Sequence, residues 1–331
     1  MRWKPIYILI AVIVILIVII ICWYKQNNKE AYPFNKYAKL GYHKPCKYNK
    51  IDCIDRLNQI RKHKSPYQRK DICVVTVSIG DRKFCKVTKS RMKEYCDLYG
   101  YDFKYFTEVI DDYYPIMWQK CVSLDKVLNM KDRYGNYKYK VVSWFDDDIY
   151  ITNMKYRLED FLELNPNKDI VMPRDMNKYD YNHYINAGCY IMKNTQTSRD
   201  FMKDTLRGMD KYFNGHFRDE PNHEQSINTY LYFSKEKYAQ AIEVLPYGTL
   251  QSVHAINYHL YRYFYWVVSY FIEINGPWQP GDFCIHFASM DSDHRNRMCN
   301  RIKRYDETVT ERKITYPHTY QITRGDWYDY I

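Results

Sequence analysis

The chain has 331 residues, 46% of them hydrophobic and 27% charged, which suits one large globular domain or two small ones and excludes a disordered polymer. A formal net charge of +11 invites a nucleic-acid reading, yet the basic residues are dispersed and no RNA- or DNA-binding signature interrupts them. The charge by itself suits an anionic small molecule or a membrane surface equally well.

Taken in chain order, residues 1–5 form a short tail ahead of an uncharged apolar run, Ile6 to Cys22, closed by Trp23 and Tyr24. Its seventeen residues span roughly 26 Å as a helix, enough for a thin bilayer. The run exits into CWYKQNNKE, with no small-x-small cleavage site, so residues 6–24 are expected to be an uncleaved anchor. Lysines on both flanks leave the positive-inside count equivocal. Residues 25–70 are polar and basic without clear periodicity and are expected to be a stem, with residues 71–331 forming the main domain.

ICVVTVS (72–78) is a continuous β-branched run, the pattern of a strand buried on both faces. A helix is expected from about Lys83 to Tyr99, stopped by Gly100, followed by a strand over 101–106 and a helix opened by Pro115. KVVSWFD (140–146) reads as a strand that ends in three consecutive aspartates. Strands are further expected over 169–175, 185–193, 241–246 and 282–289, and helices over 196–212 and 223–233. The aromatic segment 258–274 carries Arg262 and Glu273, which argues for a core or lid element rather than a second span. Alternating strand and helix patterns predict an α/β fold with a mainly parallel sheet, in which ligands sit beyond the carboxyl ends of the strands.

The 37 tyrosines fit either an AT-rich gene or aromatic platforms for sugar rings. Ten cysteines include no CxxC pair, so zinc is not suggested. Cys73, Cys121, Cys189 and Cys284 lie in apolar segments and are expected to be reduced and buried, while Cys46 and Cys53 are spaced to close a small loop.

Asp146, Asp147 and Asp148 follow a buried strand, where unpaired charge is costly. The triplet is either a solvated acidic turn or a seat for a hard divalent cation shared with phosphate oxygens. Neither a P-loop nor a GxGxxG fingerprint follows any strand. A cation bridging a diphosphate without a glycine-rich cradle is the logic of nucleotide-sugar transferases.

Several segments in order resemble the retaining glycosyltransferases of family 34, the galactosyl-, xylosyl- and mannosyltransferases of GT-A fold. They are ICVVTVS, YGYDF, MWQKCVSLDKVL, WFDDDIYITNM, INAGCYIMKNTQTSRDF, HEQSINTYL, VLPYGTLQS and GDFCIHFAS, spanning roughly residues 72–290. The resemblance implies a GT-A-like (Rossmann-like) domain behind a type II membrane anchor, facing the Golgi or ER lumen or an equivalent host or viral membrane. It implies a Mn²⁺ or Mg²⁺ cofactor, a nucleotide-diphosphate sugar donor and a glycan or glycoprotein acceptor, and it is compatible with a homodimer.

Carried over position by position, Asp146 and Asp148 would be the Asp-x-Asp metal pair and His286 the third ligand. Asp147 would face the ribose or remain structural. Thr76, Lys120 and Arg295 would join Asp147 on the nucleotide side. Asn186 and Gly188 match an N-x-G segment at the sugar, where a left-handed turn glycine is the plainer alternative, and Asp175 would bind a sugar hydroxyl. Glu224 and Gln225 match an acidic-Gln pair near the anomeric carbon, with Gln225 as electrostatic stabiliser; the family commonly has Asp where Glu224 stands. A further departure follows His286: the chain reads HFASMDSDHRNR, with Ser289 for Gly, which puts diphosphate binding in question. Two rival readings are a metal-dependent nucleotidyl- or phosphotransferase and a degenerate, non-catalytic carbohydrate-binding or structural protein.

Overall fold

The computed structural model describes residues 48–80, 85–175, 184–211, 223–253, 278 and 281–288. In chain order the elements are α1 (Lys50–Ile60), β1 (Ile72–Val77), α2 (Cys85–Tyr99), β2 (Asp102–Phe106), a 3-10 turn (Ile116–Trp118) leading into α3 (Gln119–Leu128), and β3 (Val141–Phe145). There follow β4 (Ile149–Ile151), α4 (Leu158–Glu163), β5 (Ile170–Pro173), β6 (Cys189–Lys193), α5 (Gln196–Lys211), α6 (His223–Ser234), α7 (Glu236–Ala241), β7 (Ile242–Leu245), β8 (Ser252–Val253) and β9 (Cys284–His286).

Six strands form the central sheet in the order β2-β1-β3-β6-β5-β7. All run parallel except β6, which is antiparallel to both β3 and β5. The sheet is therefore mainly parallel, and this mixed α/β arrangement fits the GT-A-like fold that the resemblance implies.

Alternation along β1 shows why its whole run is apolar. Cys73 and Val75 enter a core with Cys121 and Leu124 of α3, Phe201 and Met202 of α5, and Ile227 of α6. Ile72 and Val74 enter the opposite core with Cys53 and Leu57 of α1, Met92 and Tyr95 of α2, and Phe161 of α4. Each fully buried residue of this kind contributes about 1.5–3 kcal/mol relative to exposure. Gly100, at φ +73°, closes α2 where the sequence places its stop.

A second sheet of three short strands, ordered β4-β9-β8, stands beside the first. Lys50 of α1 reaches it, making an ion pair with Asp282 at 2.6 Å. Asp282 is 1% exposed and also accepts from Ser252 Oγ. So α1, which lies within the segment read as stem, packs onto the domain through Cys53, Ile54 and Leu57. Its apolar face is only three residues wide, too little for a periodicity reading.

Cys73, Cys121, Cys189 and Cys284 are free and buried as expected, and so are Cys53, Cys85 and Cys96. Cys46, the expected partner of Cys53, lies outside the described residues. Among the described residues no helix is long and apolar enough to cross a membrane; the expected anchor, residues 6–24, lies outside them, as do the segment 258–274 and Arg295.

Candidate metal and donor site

The three aspartates form the tight turn between β3 and β4. Asp146 N–H donates to Gly188 O at 2.8 Å, and Ile149 N–H to Asp146 O at 3.0 Å, so the turn is pinned against β6 at one end and closed on itself. The antiparallel register of β4 on β9 sets Ile149 opposite His286. That pairing brings a residue 138 positions away in sequence onto the aspartate turn, and Phe287 N–H donates to Asp148 O at 3.1 Å.

Asp146, Asp148 and His286 each offer a ligand atom within 4.8 Å of one another, and they are the group of this kind among the described residues. His286 Nε2 lies 3.0 Å from Asp148 Oδ1 and 3.6 Å from Asp146 Oδ2. The other oxygen of Asp146, Oδ1, is held by Trp144 Nε1 at 2.7 Å and Lys120 Nζ at 3.0 Å. One carboxylate edge is fixed to the protein and the other is turned toward the imidazole.

Lys120 sits beneath this turn. Its ammonium donates toward Asp146 Oδ1, Glu224 Oε1 at 2.7 Å and Ala187 O at 3.2 Å, which matches its three N–H bonds to three acceptors. Burial works to lower its pKa, and Asp146 and Glu224 outweigh it, so the ammonium is held charged. Burial raises the carboxyl groups of Asp146 and Glu224 above the ordinary range, against the pull of Lys120. For His286 burial is again a lowering influence, but Asp148, through charge and hydrogen bond, and then Asp146 carry the net shift upward.

A connected polar wall adjoins the cluster. Asp175 Oδ2 accepts from Asn186 Nδ2 at 2.9 Å and Gln225 Nε2 at 3.2 Å. Gln225 Oε1 accepts from Ala187 N–H at 2.9 Å, and Asn186 Oδ1 from Gly188 N–H at 2.9 Å. Asn186 Oδ1 also takes Gln251 Nε2 at 2.7 Å, and the same nitrogen lies 2.9 Å from His286 Nδ1. The structure therefore brings Asp146, Asp148, His286, Lys120, Glu224, Gln225, Asp175, Asn186 and Gly188 into one network.

Gly188 is needed for a different reason from a left-handed turn. It is not among the positive-φ glycines; instead a Cβ there would lie 2.7 Å from Gln251 Oε1 and from His286 Nδ1 and Cε1. Close approach of the imidazole and the amide requires the missing side chain.

Asp147 points away from the cluster. Its Oδ2 accepts from Cys85 Sγ at 3.1 Å and its carbonyl from Thr88 Oγ1 at 2.6 Å, tying the turn to the first turn of α2. Thr76 is 1% exposed near the carboxyl end of β1, and its Oγ1 has no hydrogen-bond partner among the described residues. Gln251 was not singled out from the sequence, although it stands inside VLPYGTLQS. A glutamine just before a two-residue strand carries no periodic signal.

The donor set tests well against a divalent cation. Two carboxylate oxygens and one imidazole nitrogen converge, a mixture suited to Mn²⁺ or Mg²⁺. Beside them the buried Gln251 Oε1 has no hydrogen-bond partner among the described residues, while its Nε2 faces His286 Nδ1.

No family model and no curated protein matches the chain. Among solved structures it is similar to a glycosyltransferase involved in the glycosylation of the major capsid of PBCV-1, at 14% identity and TM-score 0.48, over 69% of this chain and 98% of that one. It is also similar to mouse xyloside xylosyltransferase 1 in its apo form, at 11% identity and TM-score 0.38, over 72% of this chain and 93% of that one. Likeness at this level leaves the site's own geometry as the basis for a functional reading.

Proposed function

We propose that the chain is a divalent-cation-dependent glycosyltransferase that moves a hexosyl or pentosyl unit from a nucleotide-diphosphate sugar to a glycan hydroxyl, with retention at the anomeric carbon. The observation that carries this reading is the Asp146–Asp148–His286 cluster at the end of β3, joined by hydrogen bonds to the Asn186–Asp175–Gln225 wall. A cation site alone would suit many phosphate enzymes; a cation site continuous with a fixed array of amide and carboxylate groups suits a diphosphate attached to a sugar.

Asp146, Asp148 and His286 would hold the cation, which when bound supplies neutralisation of charge on the departing diphosphate. Lys120 pairs with both Asp146 and Glu224, so one positive charge offsets part of the negative charge in the floor of the site. Asn186 and Asp175 would orient sugar hydroxyls. Gln225, with both amide ends fixed, presents an oriented dipole next to the Asp175 carboxylate, the arrangement needed to stabilise positive charge at an oxocarbenium-like carbon. Glu224 is 4% exposed and paired with Lys120, which suits a charge-balancing role rather than attack on the sugar.

In this reading residues 6–24 anchor the chain as a type II membrane protein, the catalytic domain faces a Golgi or ER lumen or an equivalent host or viral membrane, and the acceptor is a glycan or glycoprotein.

The test is nucleotide release by the full chain in detergent, with Mn²⁺ and a panel of nucleotide sugars with candidate acceptors. Release from one donor, abolished by chelator and by Asp148→Asn, is the expected result. Nucleotide release that persists at full rate under both treatments contradicts the reading, and transfer of phosphate or a nucleotidyl group instead of sugar points to a phosphotransferase.

A further inference from the structure

Gln251 is 2% exposed and stands between the cation cluster and the sugar-side wall. The direction of the hydrogen bonds is fixed from the far end. The Asp175 carboxylate only accepts, so Asn186 presents Nδ2 to it, and Asn186 Oδ1 then takes the Gly188 N–H. That oxygen faces Gln251 at 2.7 Å, which makes Nε2 the Gln251 atom that donates there and leaves Oε1 buried with no hydrogen-bond partner among the described residues. The same Nε2 is 2.9 Å from His286 Nδ1, which accepts from it when the ring is neutral and carries its hydrogen on Nε2 toward Asp148, 3.0 Å away.

An imidazole that ligates a cation through Nε2 carries its remaining hydrogen on Nδ1 and needs an acceptor for it. Gln251 Oε1 is that acceptor, one turn of the amide away, and Gly188 leaves room for ring and amide to meet. Once Oε1 occupies the position facing Nδ1, it also faces Asn186 Oδ1, and two carbonyl oxygens repel. Asn186 must then yield its bond to Gln251.

We propose that Gln251 positions His286 for the cation and that seating the cation turns the Gln251 amide, exchanging its hydrogen bond to Asn186 for one from His286 and freeing one acceptor position of Asn186 Oδ1 for the donor sugar. This rests on the cation site of the preceding section. It makes cation loading a precondition for a competent sugar pocket, through one named side chain.

The experiment is Mn²⁺ titration of the full chain followed by electron paramagnetic resonance, with cooperative thermal unfolding as the check on folding. Gln251→Met, which keeps the volume but accepts poorly, is expected to weaken Mn²⁺ by about 10- to 100-fold. Gln251→Glu, whose carboxylate accepts from Nδ1 without a turn, is expected to bind Mn²⁺ at least as tightly as the unaltered chain. Asn186→Ala removes the competing acceptor and is expected to tighten Mn²⁺ severalfold. Equal loss in all three variants marks a packing role only and overturns the proposal, as does unchanged affinity in all three. Should the unaltered chain bind no Mn²⁺, or His286→Ala bind it equally well, the cation site itself is refuted, an outcome separable from failure at Gln251.

Discussion

Lys120 and Glu224 form an ion pair at 2.7 Å beneath the aspartate turn, and the same ammonium holds Asp146 at 3.0 Å. One cation thus separates two carboxylates that would otherwise face each other in a buried site. Lys120→Met should cost about 3–5 kcal/mol of stability at neutral pH, since it leaves uncompensated buried charge. Both carboxyl pKa values are already raised by burial, and losing Lys120 raises them further. The folded variant then binds more protons than its unfolded chain, so its stability must fall as pH rises. Denaturant melts at pH 5 and pH 8 check this: the deficit relative to the unaltered protein should be the larger at pH 8.

Gly188→Ala places a Cβ 2.7 Å from Gln251 Oε1 and two ring atoms of His286. Buried surroundings yield little, and overpacking typically costs about 1–3 kcal/mol. The variant should melt earlier and bind Mn²⁺ at least about tenfold more weakly, because the imidazole is displaced from the aspartates. A stable variant with ordinary Mn²⁺ affinity would show that ring and glycine are not in contact.

Protons and cation compete for His286. Against the lowering effect of burial, Asp148 and then Asp146 raise its pKa above the ordinary imidazole value, so protonation contributes stability that is fully present below the unfolded value and lost as pH rises through the higher folded one. A cation must displace that proton, so apparent Mn²⁺ affinity should fall as pH drops, beginning above the ordinary imidazole range. Calorimetric titrations between pH 5.5 and 8.5, with His286→Ala as reference, measure it; a flat profile would be inconsistent with His286 as a ligand.

The latch between α1 and the small sheet gives a third stability prediction. Lys50 pairs with Asp282, which is 1% exposed, and lies under Gly248, whose Cβ would meet Lys50 Nζ at 2.6 Å. Lys50→Met should cost about 3 kcal/mol, as expected for breaking a buried pair. Because β9 carries His286, thermal melting and Mn²⁺ affinity should drop together.

What the sequence revealed and what it hid follow from the range of the interactions involved. β1 and β3 are continuous apolar runs, because a sheet covered on both faces demands that, and their ends were legible from composition. The aspartate turn stood out because charge next to such a run needs a reason. β4 was missed: it is three residues long, directly after the aspartates, and its partner β9 lies more than 130 positions onward. Helix α1 is hidden within the expected stem because only Cys53, Ile54 and Leu57 of its eleven residues are buried. The need for Gly188 could be marked from sequence but not explained, since the contact is made by Gln251 and His286 from distant segments. In the sequence Lys120 is only a basic residue in a resembling motif, whereas its pairing with Glu224 depends on how α3 and α6 meet.

The central claim is that the Asp146–Asp148–His286 cluster holds a divalent cation that receives a diphosphate. Calorimetric titration of the full chain with nucleoside diphosphates, metal-free and Mn²⁺-loaded, tests it most directly. The account predicts that one nucleoside diphosphate binds the loaded protein, that binding weakens at least about a hundredfold without the metal, and that His286→Ala abolishes the difference. Equal affinity with and without Mn²⁺, or a metal effect unchanged in His286→Ala, would contradict it.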